Sequence, residues 1–90
     1  MKCTSDPAKR AKTLAERGLD MDHAGEVFAG PTVTFEDDRF DYGETRFITV
    51  GFMVERMVLI AWTPRGPTRR IISMRKANDR EQRTYGPLLG

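Results

Sequence analysis

The side chains able to do chemistry crowd the last third of the chain. Arg69-Arg70-Ile71-Ile72-Ser73-Met74-Arg75-Lys76 mixes an apolar run with four cations. From Arg65 to Arg83, seven basic residues stand against Asp79 and Glu81, a local net charge of +5. The remainder carries 8 basic and 11 acidic residues, so the formal net charge of +2 conceals two opposed regions. Guanidinium groups stay charged at neutral pH and grip phosphate with a planar fork of donors. A basic strand-to-helix corner on an otherwise acidic small domain therefore suits a polyanion. The same cations also suit a plainer role, solubilising an edge strand and a surface helix or pairing with Asp79 and Glu81.

RNA can be cut without a metal when its 2′-hydroxyl attacks the adjacent phosphate. A protein must then hold the nucleotide in line, stabilise charge on the phosphorane and manage two protons. Arginines serve the second task. Lys76, Glu81 or Tyr85 would have to help with the protons, because arginine is a poor proton carrier. Strand alternation places Arg69, Ile71, Ser73 and Arg75 on one face, and Arg70, Ile72 and Met74 on the other. Arg80 and Arg83 share a helix face at i, i+3, and Glu81 and Tyr85 share another at i, i+4. Arg65 sits at the tip of the preceding turn.

Other chemistries find few residues. With one histidine, His23, and one cysteine, Cys3, a His/Cys metal site has no ligand set, and no cofactor is expected. No Gly-rich phosphate loop stands between a strand and a helix. His23, among Asp20, Asp22 and Glu26, reads as an exposed helix residue. The acidic stretch Glu36–Glu44 lacks the Asp-x-Asp-x-Asp-Gly frame of a calcium loop and reads as a solvated connection. A lone cysteine allows no internal disulfide, and no apolar run reaches transmembrane length. The expected setting is the cytoplasm, with no membrane partner.

The elements that must position the basic corner can be read in order, and 90 residues make one domain over 1–90. Lys2–Ser5 can form a short strand. Asp6-Pro7 starts a helix, with a capping acid before a proline whose missing N–H costs nothing there. Ala8, Ala11, Leu14 and Ala15 supply an apolar stripe, and Gly18 ends the helix. Asp20 caps a second helix with Met21, Ala24, Val27 and Phe28 inward, stopped by Gly30-Pro31. Strands follow at Thr32–Phe35, Thr45–Met53, Met57–Thr63 and Thr68–Arg75. The third is apolar on both faces and should be central. Pro64-Arg65-Gly66-Pro67 is a turn. Asn78 and Glu81 make a capping box for a last helix that Gly86-Pro87 ends, leaving a loose tail. The expected fold is α+β, with two N-terminal helices and a C-terminal helix packed on an antiparallel sheet of about four strands.

In order and spacing, several pieces resemble the BrnT family of bacterial type II toxins, related in fold to the RelE-like ribonucleases. They are Asp6-Pro7-Ala8-Lys9, Arg17-Gly18-Leu19, Ala24 to Phe28, Asp38-Arg39, Tyr42-Gly43-Glu44-Thr45-Arg46-Phe47-Ile48 and Arg70-Ile71-Ile72-Ser73-Met74-Arg75-Lys76-Ala77. The resemblance implies a ribonuclease toxin that arrests translation. Its RNA cleavage would be silenced by a BrnA-like ribbon-helix-helix antitoxin, the complex acting on operator DNA through the antitoxin. It assigns Arg65 and Arg80 to phosphate and transition-state contact, with Lys76 and Glu81 beside them. Arg69, Arg70, Arg75, Arg83 and Tyr85 would bind RNA. The family's hairpin tip commonly reads Thr-Glu-Arg-Gly, where this chain has Thr63-Pro64-Arg65-Gly66. Two alternatives follow: a toxin homologue without catalysis that acts as a corepressor with its antitoxin, and a plain RNA-binding module.

Overall fold

A computed structural model describes residues 2–90. Asp6 takes an extended backbone, and its Oδ1 accepts from the amides of Ala8 at 2.8 Å and Lys9 at 3.4 Å. Helix α1 (Pro7–Arg17) then runs to Gly18, whose φ of 68° is left-handed and whose N–H bonds the Leu14 carbonyl at 3.0 Å. Asp20 caps a single 3₁₀ turn, Met21–His23, which leads into the six-residue α2 (Ala24–Ala29). The second helix is thus shorter than its sequence stripe. Its inward residues are the expected ones: Met21, Ala24 and Val27 are buried, Phe28 is half-buried and His23 is exposed.

The first helix packs differently from its apolar stripe. Ala8, Ala11 and Ala15 are exposed, and Leu14 is 44 % exposed. Arg10 and Thr13 are the half-buried side chains. Arg10 forks onto Asp20 at 2.8 and 3.0 Å, and Arg17 Nη1 donates to the Met74 carbonyl at 2.8 Å. Alanines offer little area to bury, so these charge-assisted bonds set the helix's rotation instead.

Five strands form one mixed sheet: β1 (Lys2–Ser5), β2 (Val33–Glu36), β3 (Phe47–Met53), β4 (Arg56–Arg65) and β5 (Thr68–Lys76). Their order is β1-β5-β4-β3-β2. The expected antiparallel sheet of four is corrected by β1, which lies parallel to β5 from Lys2↔Thr68 to Ser5↔Ile71. Its partner stands at the other end of the chain, beyond the reach of any local pattern. β4 is central, and its burial on both faces follows. Val58, Ile60 and Trp62 join Ile71 and Met74 against Leu19, Met21 and, from α2, Ala24 and Val27. Met57 and Leu59 join Val50, Ala77 and Leu89 on the opposite face. That second face is covered by helix α3 (Asp79–Leu89).

Two features redirect the basic corner. Ala61 faces Ser73 and Trp62 faces Ile71, so Ile72 is an extra, unpaired residue of β5. This β-bulge resets alternation along the strand. In addition, α3 continues through Gly86-Pro87 to Leu89, correcting the expected stop and loose tail. Pro87 withholds one amide from the helix. Leu89, only 7 % exposed in the second core, compensates by burial. Leu89→Ala should therefore lower unfolding free energy by about 2 kcal/mol. A chemical denaturation curve checks this, and an unchanged midpoint would mean that the last turn is not docked.

Candidate functional site

The capping box of α3 forms as its sequence requires. Asn78 Oδ1 accepts from the Glu81 amide at 2.8 Å, and Glu81 Oε1 accepts from the Asn78 amide at 2.9 Å. The same carboxylate receives Arg75 of β5 in a two-point fork, Nη1 to Oε1 and Nη2 to Oε2, each 2.8 Å. One acid thus starts the helix, anchors it to the last strand and aims a guanidinium.

Beside this fork lies a groove of about 360 Å³. Ile48, Leu59, Ala61 and Ser73 belong to its sheet floor, and Tyr85 and Phe35 form an aromatic wall. The two rings are stacked, with centroids 6.0 Å apart and planes 14° apart. The connection after β2 supplies another part of the lining. There Arg39 forks onto Asp37 at 2.7 and 3.0 Å, and the Tyr42 hydroxyl donates to the same carboxylate at 3.0 Å. The Arg46 guanidinium lies 4.0 Å over the Tyr42 ring and bonds Glu44 at 3.1 Å, while Glu44 also takes Arg65 at 3.3 Å. The Asp37 amide closes the segment onto the Arg46 carbonyl at 2.8 Å. This stretch was expected to be a solvated acidic connection. It is a cross-linked rim, and Asp37 is buried in it.

The electrostatics follow from these pairs. Arg75's hydrogen bonds hold the Glu81 carboxyl at about 2, against the burial that pushes it up. Arg39, ahead of Tyr42, does the same for Asp37, also at about 2. Glu81's bond raises Arg75's pKa, while the positive charge of Arg39 acts in the other direction. Two guanidinium groups therefore line one groove, each already held by a carboxylate, and both can offer donors to an anion there.

Of the residues singled out by sequence, the groove gathers Arg75, Glu81 and Tyr85. The bulge at Ile72 sorts the rest. Arg70 faces Thr63 and Arg65 faces Thr68, and these pairs share the groove's side of the sheet. Arg69 is sent to the other side, correcting its expected partnership with Ser73 and Arg75. Its guanidinium lies 4.1 Å over Phe28 and 5.2 Å over Trp62, and its Nε is buried with no hydrogen-bond partner. Lys76 faces Val58 and so also belongs to the α1 side, away from Glu81 and Tyr85. On α3, Glu81 and Tyr85 occupy the groove-facing stripe, and Arg80 and Arg83 are exposed outside it. The expected convergence of Arg65 and Arg80 on one cleft is not what lines this groove. Sequence reasoning missed Arg39 and Phe35 as site residues. The local signals they carry are an Asp-x-Arg spacing within the Asp38-Arg39 piece of the resemblance and one aromatic in a short strand. Among the described residues, no three His, Cys, Asp or Glu side chains gather as a metal-ligand set.

The family model for the ribonuclease toxin BrnT of type II toxin-antitoxin systems matches residues 6–81, from the cap of α1 to the first turn of α3. The chain belongs to this family of ribonuclease toxins, which act on RNA and are paired with an antitoxin. No curated protein matches it significantly. No helix is long and apolar enough to cross a membrane among the described residues.

The carboxyl shifts set an acid limit. Glu81 drops from 4.5, and Asp37 and Asp20 from 3.8, each to about 2 in the fold. The unfolded chain therefore takes up protons first as pH falls. Stability should be full above about pH 4.5 and decline progressively toward about pH 2. Denaturation midpoints measured across that window check this, and Glu81→Gln should flatten part of the slope. A flat profile in the unmodified protein would show the pairs to be inert.

Proposed function

We propose that the groove between α3, the Asp37–Arg46 rim and the sheet binds single-stranded RNA and cleaves it without a metal, arresting translation. The observation that carries this is the pair Arg39 and Arg75, two forked guanidiniums lining one groove that also has an aromatic wall. A phosphate between them meets both charges, and a base meets Tyr85 or Phe35 by its face. Arg65 and Arg70, on the same sheet side, contact the flanking phosphates. Arg80 and Arg83 of α3 reach only RNA that runs past the groove, and Lys76 and Arg69 act outside it.

In the reaction, the 2′-oxygen loses its proton to water and bonds to phosphorus as the bond to the 5′-oxygen breaks and that oxygen takes up a proton. The products are a cyclic phosphate and a free 5′-hydroxyl. Arg75 and Arg39 stabilise the charge that grows on the equatorial oxygens. Glu81 is assigned to positioning Arg75: a carboxyl held at about 2 has no proton to donate at neutral pH and is a weak base toward a 2′-hydroxyl. The Tyr85 hydroxyl is the remaining proton carrier on the groove's aromatic wall, with water as the other.

The antitoxin is proposed to be a BrnA-like ribbon-helix-helix protein. It would lay an acidic segment over this groove and carry the complex to operator DNA. A second reading has its own observation. Arg39, Arg65 and Arg75 are each already paired with a carboxylate, and Pro64 stands where the family commonly has an acid. That would suit a toxin homologue that no longer cuts and serves as a corepressor.

Purified protein incubated with RNA and a chelator separates these. Cleavage should persist without metal, and Arg75→Ala with Arg39→Ala should reduce kcat/KM by about 10²-fold or more. Arg69→Ala should instead lower thermal stability, by about 1–2 kcal/mol, because no guanidinium then covers Phe28 and Trp62. Cleavage that needs added metal, or that survives the double substitution, would overturn the mechanism. Folded protein with no cleavage at all would favour the corepressor.

A further inference from the structure

The groove has an exit that the ribonuclease reading does not use. β1 pairs with β5 only as far as Ser5↔Ile71, so β5 from Ile72 onward has no strand on its outer side. α1 flanks that edge, and Arg17 closes one of its carbonyls, that of Met74. Between α1 and the edge lies a second hollow of about 190 Å³, lined by Lys9, Lys12, Thr13, Glu16 and Arg17, with Ser73 at its border. Ser73 also lines the first groove. The two hollows therefore lie on either side of a single strand and meet at one small side chain, next to the bulge.

The charges differ in kind between the two. In the groove, Arg75 and Arg39 hold carboxylates, whereas Lys9, Lys12 and Arg17 form no ion pair among the described residues. Lys9 and Lys12, set against Glu16, can bind phosphate without first displacing an internal acid, and Arg17 adds its charge while one of its nitrogens bonds the Met74 carbonyl. The hollow offers only half-buried Ile72 and buried Met21 as apolar lining, too little for an anchoring hydrophobic contact with a protein.

Resting on the RNA-cleaving reading of the groove, we infer that single-stranded RNA leaves it at Ser73, crosses the open edge of β5 and lays its backbone on Lys9, Lys12 and Arg17 of α1. The footprint is then longer than the groove, and the chain's grip on RNA is split between a paired, orienting site and an unpaired, purely electrostatic one. A duplex cannot follow this path, because it would have to bend over one strand edge. The enzyme would thus favour extended single strands over short fragments and paired RNA.

The test uses the intact protein and single-stranded RNA with 2′-O-methyl groups, which cannot be cleaved through the 2′-oxygen. Binding is followed by fluorescence anisotropy as salt is varied, for a trinucleotide and for a long single strand. The unmodified protein should bind the long strand more tightly. In Lys9→Ala with Lys12→Ala that gain should vanish, and the slope of log K against log salt should become shallower by about 1.4, about 0.7 for each phosphate that no longer meets a lysine. Thermal unfolding establishes that the variant is folded. An unmodified protein that binds the long strand with the same slope as the variant overturns the track but not the groove. An unmodified protein that binds neither RNA overturns the ribonuclease reading itself. A variant that keeps its RNA slope and loses a co-expressed antitoxin shows a protein-docking surface, which also overturns the track.

Discussion

One unpaired residue decides which arginines meet. Without the bulge at Ile72, strict alternation would put Arg75 on the side of Arg69 and send Arg70 to the other side of the sheet. With it, Ile71 and Met74 both reach the core under the N-terminal helices, and Arg70 and Arg75 both reach the open side. The shift also explains the strand's unusual composition. An apolar run can serve a core and a charged run can serve a groove within nine residues, because the phase changes between them.

Arg75 then ties this strand to the last helix. Its fork with Glu81 is charge-assisted and held by a capping box that fixes the carboxylate first. The guanidinium is thereby aimed without being freed, and Arg39 is treated likewise by Asp37. The guanidinium end of each pair stays open to solvent, so its stabilisation is screened and modest while its effect on orientation is large. An incoming phosphate shares donors that already point the right way. The cost of ordering two long side chains has been met by folding rather than by binding. The same pairing keeps an unoccupied groove from concentrating uncompensated positive charge.

Much of this was legible from residue types alone. Asp6-Pro7, Gly18 and the Asn78/Glu81 box each mark a helix end by local chemistry, and each holds in the structure. β4 was readable as central because Met57 to Trp62 is apolar in both phases. Glu81 and Tyr85 were readable as one helical stripe, and that stripe meets the groove. The failures are non-local. A bulge depends on the partner strand, so alternation alone groups Arg69 with Ser73 and Arg75, whereas it faces the other way. β1 finds its partner across the whole chain. α1 follows Arg10, Arg17 and their distant acceptors rather than its alanines. Pro87 breaks a helix by propensity, and only the burial of Leu89 shows why it does not here. Arg39 and Phe35 become site residues through packing; Asp38-Arg39 belongs to the family pattern, but nothing in that pair shows that its arginine lines a groove.

The claim that matters most is that Arg75 and Arg39 together receive the phosphate. Guanidinium Nε–Hε resonances report it directly when uncleavable RNA is titrated into labelled protein. The Arg75 and Arg39 signals should move together and saturate at the same RNA concentration, while Arg69, held over Phe28, stays in place. Shifts confined to Arg80 and Arg83, with Arg75 and Arg39 silent, would contradict the account.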